Sequence, residues 1–369
     1  MEATAQLEER LNQWNKLIRD QDIEQATAFK EELDLAMSET LDPILDLTYR
    51  LFSIRFYLLL QEYKKVLDGF TDVGTIMDLD DERLRFYYHF FDGILMYGNR
   101  RYKEAVENYL KAKPYLRQIN DQEEIAEFKY KLASAYHRVS NYSLSLEKTR
   151  EALAIFQEKN NLKRSLYCEN LLGINNKKIT QYREAEKHYK YAKNYAEKLE
   201  DHKGEGMVYH NLGTLYADQN LSESAICYLK KAEQLTVNEK LPDPEHYDRR
   251  TRILYVLARE LFRTNKPEKA CQLLDDGLNL AIEHGHEDYI HRFQMLQTRY
   301  PEKNDNFVET YNSGLDYFKK NEMWDFVMEY SEELAMHFQE MEMYKEANGY
   351  LMKAIKARKI IEKKGATVL

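Results

Sequence analysis

The chain has 369 residues, a formal net charge of −9 and a hydrophobic content of 43%. The hydrophobic content excludes a disordered chain, and the acidic balance disfavours nucleic acid and anionic membranes as partners. A total of 13 glycines and 6 prolines favours helices joined by short turns. The three cysteines are scattered, the chain does not open on a basic stretch followed by an apolar run, and no apolar run of about 20 residues occurs. We therefore predict a soluble cytoplasmic protein.

The first 66 residues predict three helices. Apolar residues recur at helical spacing over 4–20, over 22–38 and from Pro43 to about Tyr63. Pro43 suits the first position of a helix, where its missing N–H leaves no bond unmade. Because these helices stand outside the repeat described next, we predict a small separate bundle over 1–66. The following segment, 67–81, holds two glycines and several aspartates and is predicted to be a linker.

A repeat of about 40 residues organises the chain over 82–365. Each unit predicts two helices with small and aromatic residues at fixed places, which let the paired helices approach closely. After Leu241 the spacing slips, because LPDPEHYD inserts a longer loop. The four clearest copies of the pattern are Gly93, Met96, Tyr102 and Ala105; Ala133, Tyr136, Tyr142 and Ser145; Gly173, Asn176, Tyr182 and Ala185; Gly213, Tyr216, Ser222 and Ala225.

The repeat resembles tetratricopeptide repeats, with longer helices than the common 34-residue form. Three stretches extend the resemblance: LNQWNKLIRDQDIEQATAFKEEL at 11–33, YRLFSIRFYLLLQEY at 49–63 and FYYHFFDG at 86–93. With these stretches, the bundle joined to such repeats resembles the Rap proteins of Gram-positive bacteria. This resemblance covers nearly the whole chain and implies an all-α fold, a three-helix bundle followed by a right-handed tetratricopeptide-repeat superhelix.

The same resemblance implies a function in quorum sensing. The bundle would bind a two-component response regulator, and a short secreted and re-imported signalling peptide, bound by the repeats, would switch that binding. In this class of proteins such control acts on sporulation or competence. A generic repeat scaffold without peptide control, and a relative that binds DNA, are the alternatives. The DNA alternative is disfavoured because the chain is acidic and shows no helix-turn-helix opening.

Some Rap proteins also hydrolyse the aspartyl phosphate of their regulator, so a phosphatase activity is a further alternative. In those members a bundle glutamine orients the attacking water. The matching segment here, SETLDPI at 38–44, contains Glu39 and Asp42 but no glutamine. These two carboxylates are the candidate catalytic residues. Without a metal ion a carboxylate is repelled by a phosphoryl group, so the resemblance leaves the enzymatic activity open.

The candidate peptide-binding residues lie mainly on the first helices of the repeats. Receptors of this class carry an asparagine at the position of Asn211, and an asparagine can both donate to and accept from a peptide backbone. Helix packing of the Asn-Leu-Gly step is the alternative explanation. Lys177 and Lys178 lie near the position where Rap proteins usually have an aspartate, which predicts an acidic or neutral peptide residue opposite them. The full set is Asn211, Asn176, Asn170, Asn175, Lys178, Glu169, Tyr136 and Lys131.

The candidate regulator-binding residues are Tyr49, Arg50, Phe52 and Tyr88. Ordinary alternation of core and surface positions along a helix would also explain them. The histidines and cysteines lack zinc spacing, and the sequence contains no Gly-rich phosphate loop, so we predict neither a metal nor a cofactor. The oligomeric state, a homodimer included, stays open.

Overall fold

The computed structural model describes residues 2–38, 42–74, 81–237, 244–300 and 305–366. Within these ranges the chain forms eighteen α-helices, one 3₁₀ helix over Lys113–Gln118, and no strand, so the prediction of an all-α fold is confirmed. None of the described helices is both long and apolar enough to cross a bilayer. The first eight helices are α1 (Glu2–Asp20), α2 (Ile23–Met37), α3 (Pro43–Leu59), α4 (Tyr63–Asp72), α5 (Glu82–Gly98), α6 (Tyr102–Ala112), α7 (Gln122–Arg138) and α8 (Tyr142–Glu158).

The remaining helices continue the alternation of paired elements. They are α9 (Leu162–Lys178), α10 (Tyr182–Leu199), α11 (His202–Asp218), α12 (Ser222–Val237), α13 (Pro244–Arg263), α14 (Pro267–Glu283), α15 (Glu287–Arg299), α16 (Phe307–Lys320), α17 (Trp324–Glu340) and α18 (Tyr344–Ala366).

Most turns between helices share one geometry, which uses a glycine only at Gly285 among the described residues. Thr180, for example, has a φ of 61°, and the N–H of Gln181 donates to the carbonyl of Asn176 at 2.9 Å. This six-to-one bond closes the end of a helix around a left-handed residue. The low glycine count is therefore compatible with short turns. Positive φ recurs at Gln21, Gln61, Arg100, Ser140, Asn160, Thr180, Glu200 and Asn220.

Glycine is used instead where two helices of a hairpin touch. A Cβ atom at Gly173 of α9 would lie 2.4 Å from Cε1 of Tyr189 of α10. At Gly93 of α5 it would lie at the same distance from Cε1 of Tyr109 of α6. Both tyrosine rings are fully buried, so each glycine makes room for the aromatic residue sixteen positions later.

The chain divides into two compact units, Met1–Val139 with Ser143–Ile155, and Ser140–Tyr142 with Phe156–Leu369. In the first unit α2 packs on α1 and α4 packs on α3, while α1, α3, α5 and α7 contact one another in succession. The amino-terminal helices therefore form two hairpins that continue the row of odd-numbered helices. Their inner turns lie at Gln21 and Gln61, which is one repeat period apart.

This arrangement differs from the predicted bundle and linker in one respect. A fourth helix, α4, covers the first part of the segment 67–81. Gly69 permits its contact with α3, since a Cβ atom there would lie 2.8 Å from Cγ1 of Ile54. Residues 75–80 lie outside the described part of the chain, and the domain boundaries at 66 and 82 stay predictions.

In the second unit α9, α11, α13 and α15 contact one another in succession, and we call these four helices the odd-helix row. Each of α10, α12 and α14 packs on the helix that precedes it. The buried side chains between the first two pairs are apolar, among them Tyr189, Leu212 and Leu229. Residues at the same position of successive odd helices therefore lie side by side along the row.

Candidate functional site

Two predicted asparagines meet on the odd-helix row. Asn170 of α9 and Asn211 of α11 lie 41 residues apart, one repeat period, and Nδ2 of Asn211 donates to Oδ1 of Asn170 at 2.6 Å. Asn170 is buried, with Nδ2 3.6 Å from Sδ of Met207, whereas Asn211 is partly exposed. The pair thus presents an amide at the surface that is held in place from behind by a second amide.

Basic residues flank this pair. Lys177 of α9 donates to Oγ1 of Thr214 at 3.2 Å and lies 3.0 Å from Oδ2 of Asp218, so it ties α9 to α11. Lys178, a predicted peptide contact, lies 4.0 Å from Oδ2 of Asp325 in α17. Its side chain is 40% exposed, and at this distance the ion pair is weak enough for a ligand carboxylate to compete with Asp325.

His210, next to Asn211, lies close enough to two basic side chains for their charges to affect its pKa. Burial, together with the positive charges of Arg252 and Lys177, lowers the pKa of His210 to about 3. The imidazole is therefore neutral at pH 7 and adds no positive charge of its own. That an acidic or neutral peptide residue lies opposite Lys178 stays a prediction.

Three further candidates on α9 are buried. Asn175 and Asn176 are 0% and 1% exposed, and Nδ2 of Asn176 donates to the carbonyl of Leu172 one turn earlier at 2.8 Å. Glu169 is also buried, and its Oε2 lies 2.6 Å from Nδ1 of His188 on α10. These side chains join parts of the chain to each other, and a direct contact with a peptide would require them to rearrange.

The two remaining peptide-binding candidates lie on α7 in the first unit. Nζ of Lys131 lies 3.7 Å from Oε1 of Glu127 on the same helix. Tyr136 is largely buried, and this burial raises the pKa of its hydroxyl. Both roles stay predictions.

The predicted regulator-binding residues separate into surface and core. Tyr49 accepts a hydrogen bond from Lys30 at 2.9 Å and also bonds to Asp34. Arg50 is exposed and pairs with Asp46 at 2.8 Å. Phe52, in contrast, is fully buried, with its ring edge-on to Tyr87 at 5.0 Å. Phe52 therefore supports the surface of α3 from behind and does not form it.

Tyr88 of α5 is partly exposed and packs edge-on against Phe70 of α4, with ring centroids 5.5 Å apart.

A groove with charged residues along it runs between α3 and α4. Sequence reasoning missed its α4 side because that segment was assigned to the linker. The apolar spacing of Val66, Phe70 and Val73 is the signal that indicates this helix. The groove is lined by Arg50, Ser53, Ile54, Tyr57, Lys65, Asp68, Gly69 and Asp72.

Of the two candidate catalytic carboxylates, Glu39 and Asp42, the structure describes only Asp42. Glu39 lies outside the described residues. Asp42 is the N-cap of α3, where its Oδ1 accepts the backbone N–H groups of Ile44 at 2.9 Å and Leu45 at 3.2 Å. A capping role of this kind accounts for an aspartate before Pro43 without any catalytic function.

A buried ion network holds α1 and α3 against α7 in the first unit. Arg55 of α3 donates to both carboxylate oxygens of Glu124, at 2.7 and 2.9 Å, and to Oδ1 of Asn15. Arg19 of α1 lies 3.5 Å from the same carboxylate and donates to Asp121 at 2.6 Å. Glu124 is 1% exposed, so it is shared by two buried arginines.

Sequence reasoning also missed Arg252 and Arg292, although the sequence contains a signal for them. A step of 40 or 41 residues leads from Asn170 to Asn211, then to Arg252 and then to Arg292. The inserted loop after Leu241 hides this continuation. In the structure these two arginines differ, because Arg252 is exposed and pairs with Asp248 on its own helix, whereas Arg292 is buried.

Comparison with known proteins finds relatives over nearly the whole chain. The regulatory protein RapG of Bacillus subtilis is 27% identical over 367 residues, which cover 98% of each chain. The transcriptional activator NprA of Geobacillus stearothermophilus is 28% identical and covers 94% of this chain and 86% of its own. Response regulator aspartate phosphatase H of Bacillus subtilis is 24% identical over 96% of this chain and 95% of its own.

A solved structure, a Rap protein complexed with competence and sporulation factor, has the same fold. It superposes with a TM-score of 0.83 at 21% identity and covers 98% of this chain and 99% of its own. No family model matches the chain. Together the relatives and this structure confirm the resemblance to Rap proteins and the tetratricopeptide-repeat fold class.

Proposed function

We propose that this chain, a relative of the Rap regulators over nearly its full length, is a peptide-controlled quorum-sensing regulator of a two-component response regulator. The observation that carries the proposal is the end-to-end relationship to RapG, at 27% identity. The pair of Asn170 and Asn211 on the odd-helix row supplies the local chemistry, because its amide suits the backbone of an extended peptide. A regulator of this kind acts in the cytoplasm, where response regulators are found.

The response regulator would bind on the amino-terminal helices. The groove between α3 and α4 carries exposed charges of both signs, namely Arg50 from α3 and Lys65, Asp68 and Asp72 from α4. Mixed charges of this kind set the orientation of a partner and the rate of encounter more than the affinity. The buried network around Glu124 would hold this surface in a fixed position on α7.

A binding experiment tests this proposal. The purified chain is mixed with a panel of purified response regulators, and complexes are separated by size-exclusion chromatography. We expect one regulator to co-elute and the complex to weaken in the variant that reverses both Arg50 and Lys65 to glutamate. Arg358→Glu on α18 is the control, because Arg358 is likewise an exposed arginine paired with a carboxylate. A chain that binds no regulator of the panel would contradict the proposal.

Phosphatase activity is the second candidate, and it is favoured by the name of the relative aspartate phosphatase H. The loss of aspartyl phosphate from the bound regulator is measured with the unchanged chain and with Glu39→Ala and Asp42→Ala. A phosphatase that uses either carboxylate would slow on substitution without losing the regulator. Because Asp42 caps α3, Asp42→Asn serves as a control that retains the cap. An unaccelerated rate with the unchanged chain would remove the enzymatic alternative.

A further inference from the structure

The even-numbered helix α10 of the second unit covers the face that lies beside the following helix. It packs on α9 and also contacts α11, and the hydroxyl of Tyr216 on α11 donates to Oε1 of Glu186 at 3.0 Å. Glu186 belongs to a stripe of four side chains along α10 that are all buried or half-buried. The stripe consists of Tyr182, Glu186, Tyr189 and Lys193.

The helix α12 repeats this pattern, but the last helix, α18, does not. On α12, which contacts α13, the four matching side chains are again buried or half-buried. Because α18 opens with the same Tyr-x-x-Ala step as α10, the repeat register identifies its matching positions. All four are exposed, and no helix follows α18 in the described part of the chain. We call these four residues the α18 face: Tyr344, Asn348, Leu351 and Ile355.

The α18 face is largely apolar, although the end of a repeat array is normally polar. Leu351 and Ile355 are each 44% exposed, and Tyr344 is 66% exposed. Terminal repeats usually carry a polar outer face, because no further repeat stacks on it and the chain must stay soluble. An exposed apolar face at this place therefore indicates a binding partner. Other large apolar side chains exposed on α17, on α18 and on the turn between them are Met336, Met341, Met343 and Met352.

We propose that the α18 face binds the α18 face of a second copy of this chain, with the two α18 helices antiparallel. Steps of seven, four and seven residues lead from Tyr344 to Leu351, Ile355 and Glu362, so these four side chains share one stripe of the helix. With the two-fold axis midway between Leu351 and Ile355, Leu351 of each copy packs on Ile355 of the other. Tyr344 of each copy then lies opposite Glu362 of the other.

Charge selects the antiparallel direction. In this arrangement the hydroxyl of Tyr344 donates to the carboxylate of Glu362, which is exposed in the single chain. A parallel pair would set the two Glu362 carboxylates against each other, and facing like charges are destabilising. A two-fold contact uses the same surface on both copies, so it is complete with two chains and does not extend into a filament. The inference is independent of the proposed function, since neither a regulator nor a peptide takes part.

The mass of the full chain in solution tests whether the α18 face is covered by a second copy. Analytical ultracentrifugation of the chain alone should give twice 44.1 kDa, with a dimer fraction that rises with concentration. Ile355→Glu places a carboxylate from each copy in the apolar contact and should return the mass to that of one chain. Ile282→Glu on α14, which makes the same change at another exposed isoleucine, is the matched control and should stay dimeric.

Cross-linking tests the antiparallel direction. The background carries Cys227→Ser and Cys271→Ser, because these two cysteines are not buried. Leu351→Cys and Ile355→Cys are then introduced in separate chains, which are oxidised alone and as a mixture. The mixture should form the disulfide-linked dimer faster than either chain alone. Like positions are offset by about 6 Å along the helix axis, at about 1.5 Å per residue, and a disulfide requires Cα atoms within about 7 Å.

Three results overturn the inference, and each removes a different part of it. A mass of 44.1 kDa at every concentration would exclude a second copy and leave the α18 face to a different protein. A dimer that survives Ile355→Glu, in a variant that circular dichroism shows to be folded, would place the contact on another surface. Cross-linking of Leu351→Cys alone as fast as in the mixture would contradict the antiparallel arrangement.

Discussion

The two units bury arginines in opposite ways. In the first unit Arg19 and Arg55 face four carboxylates, Asp20, Asp121, Glu123 and Glu124, at distances of 2.6 to 3.5 Å. In the second unit Arg292 has rings and a phenol as its neighbours. A buried charge is tolerated when it is paired and is costly when it is not. The first cluster is therefore held by charge pairing, whereas Arg292 is held by a phenol, three rings and the more distant charge of Glu329.

The largest expected effect comes from breaking the paired cluster. Glu124→Gln leaves Arg19 and Arg55 buried without their shared charge and should lower the free energy of unfolding by about 3–5 kcal/mol. Urea unfolding followed by circular dichroism measures it. Glu104→Gln, which removes one partner of the exposed ion pair with Arg101, is the control and should change stability by less than about 1 kcal/mol. Equal effects of the two variants would mean that the buried network contributes no more to stability than an exposed ion pair does.

Hairpin packing in the second unit should be next in size. Gly173→Ala places a Cβ atom 2.4 Å from the buried ring of Tyr189 and should destabilise the chain by about 1–3 kcal/mol. In Gly349→Ala the new methyl group meets nothing within 4 Å, so the better helix propensity of alanine should stabilise α18 by up to about 1 kcal/mol. Thermal unfolding of both variants tests whether the first substitution lowers the stability and the second raises it. A neutral Gly173→Ala would show that the close approach of α9 and α10 is not required.

The asparagine pair should affect the ligand more than the fold. Asn211→Ala removes the partly exposed amide and should weaken peptide binding by about tenfold, which corresponds to about 1.4 kcal/mol. The measurement is fluorescence polarisation with a peptide selected on the unchanged chain. Asn321→Ala on the α16–α17 turn, which removes another exposed amide, is the control. An unchanged affinity in Asn211→Ala would place the peptide elsewhere.

The smallest expected effect concerns pH and the paired cluster. Burial opposes ionisation of Asp121, but the hydrogen bond and charge of Arg19 and two backbone N–H groups lower its pKa overall. Its stabilising contribution is therefore fully present above the unfolded value near 3.8 and is lost as the pH falls through the lower folded value.

Asp121→Asn retains the helix cap and removes the charge, so it should cost about 1 kcal/mol or less at pH 7, because the carboxylate is half exposed. The difference from the unchanged chain should shrink progressively as the pH falls below 3.8. A difference that does not change with pH in this range would assign the effect to capping and not to charge. Urea unfolding at several pH values makes the comparison.

The sequence predicted the fold well where the repeat is regular, and the reasons are physical. A small residue and an aromatic at fixed spacing report directly on helix contact, as Gly173 and Tyr189 show. It failed for α4 because Gly69, which signals a close contact with Ile54, was interpreted as a sign of a linker. A glycine alone does not distinguish a turn from a packed helix.

The site was predictable only in part. The position of Asn211 followed from the repeat register, but the same register could not show that Asn176 turns its amide to the carbonyl of Leu172. The burial of Phe52 depends on Tyr87 of another helix. The surroundings of Arg292 depend on which side chains lie near it in space, and no linear pattern contains that information.

Hydrogen–deuterium exchange with a selected peptide tests the central claim most directly, since it locates the ligand on the chain. The account predicts that saturating peptide slows exchange most in fragments from α9 and α11, including those around Asn170 and Asn211. Protection confined to α1–α4, or to the even helices α10, α12 and α14, would contradict it.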